Sequence, residues 1–150
     1  MSGVTVRPVT PADTEGWLEL RTALWPHHDA NREDIATFFR GVHRHGLDAA
    51  LVAVDPSDAL IGFAELSVRR YAEGCDTDRV GYLEGWFVAA AHRRQGIGRA
   101  LLRAAEDWAR AQDCTEFASG AELTNVISAS AHEALGFTEV ERQIHYRKDL

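Results

Sequence analysis

Ala91-His92-Arg93-Arg94-Gln95-Gly96-Ile97-Gly98-Arg99-Ala100-Leu101-Leu102 is the stretch that decides the fold. A basic run leads into two glycines, and after them Ile97, Leu101, Ala105 and Trp108 recur at the spacing of one helix face. Glycine has no Cβ, so at the first turn of a helix it leaves backbone N–H groups without an intrahelical partner open to an anion, and the helix dipole favours that anion. The stretch reads as a pyrophosphate cradle. No Lys-Ser or Lys-Thr follows the glycines, which excludes the nucleotide-triphosphate loop, and the motif lies too late to open a dinucleotide fold.

Working outward, Gly81 to Val88 is an aromatic and apolar strand, so the local order is strand, basic glycine turn, helix. Upstream, Val4 to Val9 alternates as a strand. Thr10-Pro11-Ala12-Asp13 then starts a helix with an N-cap hydroxyl, a first-turn proline and an acid. Trp17, Leu20 and Leu24 mark its apolar stripe, and Ile35, Phe38, Phe39 and Val42 mark that of a second helix after Asn31. Ala49–Val54 and Leu60–Val68 flank the turn Asp55-Pro56-Ser57-Asp58 as an antiparallel hairpin, and Arg69–Asp78 is a loop. Downstream come a short strand at Thr115–Ala118, a helix opened by Asn125 and stopped at Gly136, and a last strand over Phe137–Arg147. The expected fold is one α/β (α+β) domain over residues 1–150, a mixed, mostly antiparallel sheet with helices on both faces in the order β-α-α-β-β-β-α-β-α-β.

The net charge of −7 argues against a nucleic-acid partner, which would meet a basic face. Its distribution is more telling. Ala91–Arg110 holds five arginines against Glu106 and Asp107, whereas Glu116–His145 holds five glutamates against Arg142 alone. One region suits an anionic cofactor, the other a cationic substrate. There is no basic-apolar leader and no apolar run near about 20 residues, so a cytoplasmic protein without a membrane association is expected. Cys75 and Cys114 lack metal spacing and read as structural, and adjacent His27 and His28 carry no metal pattern, so no metal is expected.

The strand, Arg93, Gly96 and Gly98 together resemble the acetyl-CoA site of the GNAT superfamily of N-acetyltransferases, whose hallmark is Arg/Gln-x-x-Gly-x-Gly/Ala after such a strand. Leu20-Arg21 with Leu24-Trp25, Tyr71 with Gly74-Cys75-Asp76, Leu83-Glu84-Gly85, Cys114 to Ser119, Asn125 to Ser128, Leu135-Gly136-Phe137 and Tyr146-Arg147-Lys148 further resemble the bacterial aminoglycoside 6′-N-acetyltransferases. The resemblance implies strands four and five splayed around the cofactor's pantetheine arm. It implies that Trp86, Phe87, Val88, Arg93, Arg94, Gln95, Gly96, Ile97, Gly98 and Asn125 hold acetyl-CoA, and that Trp25, Tyr71, Glu84 and Glu141 line the aminoglycoside site. It also implies a homodimer with C-terminal strands paired across subunits. Where relatives carry Asp after Ala-Ser this chain has Gly120, and Glu122 is the carboxylate that can substitute.

Acyl transfer to an amine needs a group that takes a proton from the ammonium, a donor for charge on the thioester oxygen, and a proton for the leaving thiolate. Glu84, among Leu83, Trp86 and Phe87, is costly unless a cation meets it, and is assigned the first role. Backbone N–H of Phe87 or Val88 serves the second if strand four bulges there, as the superfamily implies. Tyr146 has the proton for the third. The expected reaction is direct transfer in a ternary complex. Two other readings stay open: an acetyltransferase for another amine, such as a polyamine or a protein N-terminus, and a non-catalytic acyl-CoA-binding module.

Overall fold

The computed structural model describes residues 3–42 and 46–150. Among the described residues, β1 (Thr5–Pro8), β2 (Ala49–Val54), β3 (Leu60–Arg69), β4 (Val80–Val88) and β5 (Glu116–Ser119) form one sheet in chain order. Helices α1 (Thr14–Leu24) and α2 (Asn31–Phe39) lead from β1 to β2, α3 (Ile97–Ala111) leads from β4 to β5, and α4 (Val126–Ala134) follows. The β1–β2, β2–β3 and β3–β4 pairs are antiparallel, the first across the two-helix connection and the other two across turns and loops. The helical crossover through α3 makes β4–β5 parallel.

Alternation along the strands builds two cores. Leu51 and Ala53 of β2 join Ile97, Leu101, Leu102 and Ala105 of α3, while Ala50, Val52 and Val54 join Trp17, Leu20 and Ile35 on the other face. Trp17 is fully buried, with Phe38 and Phe39 meeting its ring edge-on at 5.5 and 5.9 Å. Truncating such a residue to Ala costs roughly 3–5 kcal/mol. Ahead of α1, the Thr10 N–H donates to Asp13 Oδ2 at 2.7 Å, and Arg7 donates to both carboxylate oxygens at 2.7 and 2.9 Å. The Arg7 guanidinium holds the Asp13 carboxyl down at about 2, so this pair ties β1 to the start of α1.

β4 pairs with β5 only from Val80 to Leu83, opposite Glu116 to Ser119. From Glu84 onward the two strands part, as expected for an insertion site. The bulge in β4 lies earlier than the Phe87–Val88 position expected of it. Glu65 opposes Gly85 and Leu66 opposes Leu83, which makes Glu84 the extra residue. Alternation therefore resets there. Leu83 and Trp86 face the α3 side, while Glu84 and Gly85 both face α1 and α2.

The last expected strand, Phe137–Arg147, is corrected: residues 137–150 run as irregular, mostly exposed chain, so the order is β-α-α-β-β-β-α-β-α. Val140, Ile144 and Tyr146 keep the period-two apolar pattern of a strand yet are 61%, 73% and 90% exposed. A strand pattern without a partner edge stays irregular, because its N–H and C=O groups are then satisfied by solvent. One anchor fixes the tail's course. Gly74, at φ +75°, lies against Val140, where a Cβ would meet the valine Cβ at 2.5 Å.

Candidate active site

The glycine turn comes first in the chain's logic. A short helical turn at Ala90–His92 is followed by Arg94 at φ +62° and Gly96 at φ +81°, the left-handed conformation that glycine adopts at no steric cost. Gly96 is the N-cap of α3, and the first intrahelical bond runs from Ala100 N–H to Gly96 O at 3.0 Å. The Ile97, Gly98 and Arg99 N–H groups precede that bond and point out of the helix end. Gly98 lies under Trp86, whose Nε1 donates to Gly98 O at 3.2 Å, so a Cβ there would crowd the indole. The Arg93 Nε donates to Val88 O at 2.8 Å, and its guanidinium lies 5.3 Å from the Phe87 ring. Arg93, Arg94 and Gln95 are otherwise exposed. Backbone donors beneath exposed arginines fit a diphosphate.

The open edge of β4 lies beside this turn. Ala89 N–H donates to Ile61 O, so strand alternation turns the Phe87 N–H toward β3 and the Val88 N–H toward the splay. Of the two oxyanion donors expected from sequence, Val88 is the one on the open edge. The splay is bounded by His132 of α4, edge-on to Trp86 at 5.6 Å. His132 Nδ1 donates to Ser128 O, which can only accept, at 2.7 Å, and its Nε2 lies 2.8 Å from the Ser119 hydroxyl. Asn125 spends its side-chain oxygen on the Ser128 N–H at 3.0 Å and so caps α4.

Across β4, on the α1–α2 side, a cavity of ≈280 Å³ is lined by Arg21, Trp25, Asp34, Phe38, Glu65 and Glu84 among others. Glu84 is half-buried at its rim and accepts from Ser67 Oγ at 2.9 Å and from Arg69 Nε at 3.0 Å. Its floor is a charge network that the sequence reading missed. Glu65 is 3% exposed; Trp17 Nε1 donates to its Oε2 at 2.9 Å, and Arg21 Nε lies 3.1 Å from that oxygen. Arg21 Nη2 also lies 3.3 Å from Asp34, whose Oδ2 is 2.7 Å from His28 Nε2. Burial pushes the Glu65 carboxyl up to about 7 against the pull of Arg21 and Trp17. A signal did exist. Arg21 stands four residues after Trp17 on the apolar stripe, and Glu65 interrupts an apolar strand, a matched pair of charges at positions reserved for core.

The sequence profile of the Acetyltransferase (GNAT) family matches residues 14–137. The chain belongs to the GNAT acetyltransferase family. Among its GNAT relatives, an aminoglycoside N(6′)-acetyltransferase type 1 of Klebsiella aerogenes is 49% identical, with 99% of each chain covered. One of Stenotrophomonas maltophilia is 37% identical over 99% of this chain and 95% of its own. Among solved structures, AAC(6′)-Iy in complex with the bisubstrate analogue CoA-S-monomethyl-acetylneamine superposes with a TM-score of 0.87 at 36% identity, covering 99% of this chain and 100% of that one. The AAC(6′)-Ih enzyme of Acinetobacter baumannii also gives 0.87 at 36% identity, covering 99% of each chain.

In this GNAT chain the expected site residues divide into two groups. Trp25 and Glu84 meet at one cavity; Trp86, Phe87, Val88 and Arg93–Gly98 meet around the open edge of β4. Tyr71 is 69% exposed on the loop after β3, and Gly120 and Glu122 are exposed just past β5. A Cβ at Gly120 would lie 3.1 Å from the Tyr82 hydroxyl. Glu141 and Tyr146 lie in the exposed tail, and Glu141 accepts from its neighbour Gln143 at 2.8 Å. Within one chain they join neither group.

Proposed function

We propose that this protein transfers the acetyl group of acetyl-CoA to the 6′-amine of aminoglycosides, directly in a ternary complex, and thereby confers resistance to these antibiotics. The observation that carries the reading is the two-sidedness of β4. One side is the open edge beside an N–H-lined glycine turn, and the other is a carboxylate at the rim of an aromatic cavity. A thioester seated along the edge and an amine seated at Glu84 meet at the bulge.

The backbone N–H groups of Ile97, Gly98 and Arg99 bind the diphosphate, with Arg93, Arg94 and Gln95 around it and Asn125 at the far side of the splay. Acetyl-CoA, when bound, supplies the activated acyl group. The Val88 N–H donates to the thioester oxygen as charge builds on it. Glu84 receives the substrate ammonium and takes its proton, directly or through water. Trp25 and Tyr71 offer ring faces to the sugars, and Glu122 stands in for the carboxylate that Gly120 lacks. No metal takes part.

The molecule works as a homodimer in this reading. A second copy is the occupant that suits the tail, because Val140, Ile144 and Tyr146 would share one face of an extended strand and β5 is the edge strand of the sheet among the described residues. The pairing carries Glu141 to the substrate and gives Tyr146 the general-acid role toward the thiolate. We place the reaction in the cytoplasm, where acetyl-CoA is available and where unpaired Cys75 and Cys114 stay reduced. Membranes and nucleic acids have no part in it.

An amine panel tests the assignment. Thiol release from acetyl-CoA is expected with kanamycin and tobramycin and not with spermidine or a peptide N-terminus. The opposite pattern would replace the substrate class, and acetyl-CoA binding without turnover on any amine would leave only a binding module.

A further inference from the structure

The carboxylate at the β4 bulge is not loose. Ser67 Oγ donates to Glu84 Oε2 at 2.9 Å, Arg69 Nε donates to the same oxygen at 3.0 Å and Arg69 Nη2 at 2.8 Å, and Nη2 also reaches Oε1. The Arg69 guanidinium is itself held, lying 3.5 Å from the centroid of the Tyr82 ring. The sheet explains how Ser67 and Arg69 converge on Glu84 with Tyr82 beneath the guanidinium. Ser67 and Arg69 are two apart on β3 and share a face, and Tyr82 stands opposite Ser67 on β4. The bulge adds Glu84 to that same face without a cross-strand partner, so its side chain reaches along the sheet to Arg69.

A carboxylate has about four acceptor positions. Three of the four donor contacts fall on Oε2, which leaves Oε1 with a position to receive an ammonium. From this geometry we infer that Arg69 is a positioning residue for Glu84, seated on Tyr82, and that it acts on turnover and not on substrate affinity. Arg69 and Glu84 together are neutral, so the pair attracts a polycation weakly. Its contribution is a carboxylate whose rotamer freedom is already lost before the amine arrives, the planar fork and the ring stacking fixing it where a lysine would not.

The inference rests on the proposed role of Glu84, and the experiment separates the two. Steady-state kinetics with kanamycin as the varied amine, then with acetyl-CoA varied, are compared for the wild type, Arg69→Gln, Arg69→Lys, Glu84→Gln and Arg69→Gln/Glu84→Gln, with thermal melts to confirm folding. Arg69→Gln is expected to lower kcat about 10–100-fold, to leave KM for kanamycin unchanged or lower it, and to leave KM for acetyl-CoA within about twofold. Arg69→Lys falls between the wild type and Arg69→Gln, because it keeps the charge and loses the fork. On the Glu84→Gln background, Arg69→Gln adds nothing to the loss in kcat. Wild-type kcat retained in Arg69→Gln, or a raised kcat, overturns the inference while the role of Glu84 stands. So does a raised KM for kanamycin at unchanged kcat. An unaffected Glu84→Gln, or a wild type inactive on kanamycin, removes that role and this inference together.

Discussion

The two sides of β4 solve opposite problems by different means. At the Gly96 turn the proposed ligand is an anion and the protein offers backbone: a φ of +81°, missing Cβ atoms and N–H groups at a helix end. At the Glu84 rim the proposed ligand is a cation and the protein offers side chains drawn from α1, α2, β3 and β4, each charge held by another. The first device is local and needs a few consecutive residues. The second is assembled across the fold, from Trp17 to Glu84, and exists only once the sheet has formed.

The sharpest way to break the comparison is at the backbone device. Gly96→Val forces a β-branched residue into the left-handed region and fills the cradle, and is expected to raise the acetyl-CoA dissociation constant by about 100-fold or more while kanamycin binding holds. Calorimetric titration with coenzyme A reads this directly. A valine tolerated there would mean that side chains, and not N–H groups, hold the diphosphate.

The side-chain device should show itself in the pH dependence of stability. Folding raises the Glu65 carboxyl from 4.5 to about 7, so the folded state keeps a proton that the unfolded chain has already released. Stability from this group is therefore full below about pH 4.5, falls as the pH rises toward 7 and is level above it, a loss of up to about 3 kcal/mol. Glu65→Gln keeps an acceptor for Trp17 Nε1 and should flatten that slope in urea denaturation series. A slope unchanged in the variant would assign it to another group.

Asp13 gives the smaller effect and the opposite sign. Arg7 lowers its carboxyl from 3.8 to about 2, so its contribution is present above pH 4 and is lost as the pH falls through that interval. Asp13→Asn should cost about 1–2 kcal/mol at neutral pH and nothing further at pH 2, measured by the same denaturation series. An equal cost at both pH values would place the loss in packing around Thr10, not in charge.

The contrast also explains what the sequence disclosed. The glycine turn that opens α3 was legible because its physics is carried by neighbours in the chain, and the hairpin at Asp55–Asp58 and the stripes of α1 and α3 were legible for the same reason. Glu84 was read as a residue of the strand ahead of the glycine turn, and it lies on β4, yet the bulge was expected near Phe87, because register depends on how β3 and β4 pair. Arg21, Glu65 and Arg69 went unassigned because each charge makes sense only beside a partner distant in sequence; Arg21 and Glu65, for example, meet across 44 positions. The final strand was read from an alternation that is real, at Val140, Ile144 and Tyr146, but a pattern cannot supply the neighbouring edge.

The claim beneath all of this is that β4 serves two substrates from its two sides independently. Glu84→Gln, assayed for turnover with kanamycin and for coenzyme A binding by calorimetry on the same preparation, tests it most directly. The account predicts kcat lowered by about 100-fold with the coenzyme A dissociation constant within about twofold of wild type. Turnover near wild type, or coenzyme A binding weakened as much as turnover, would contradict it.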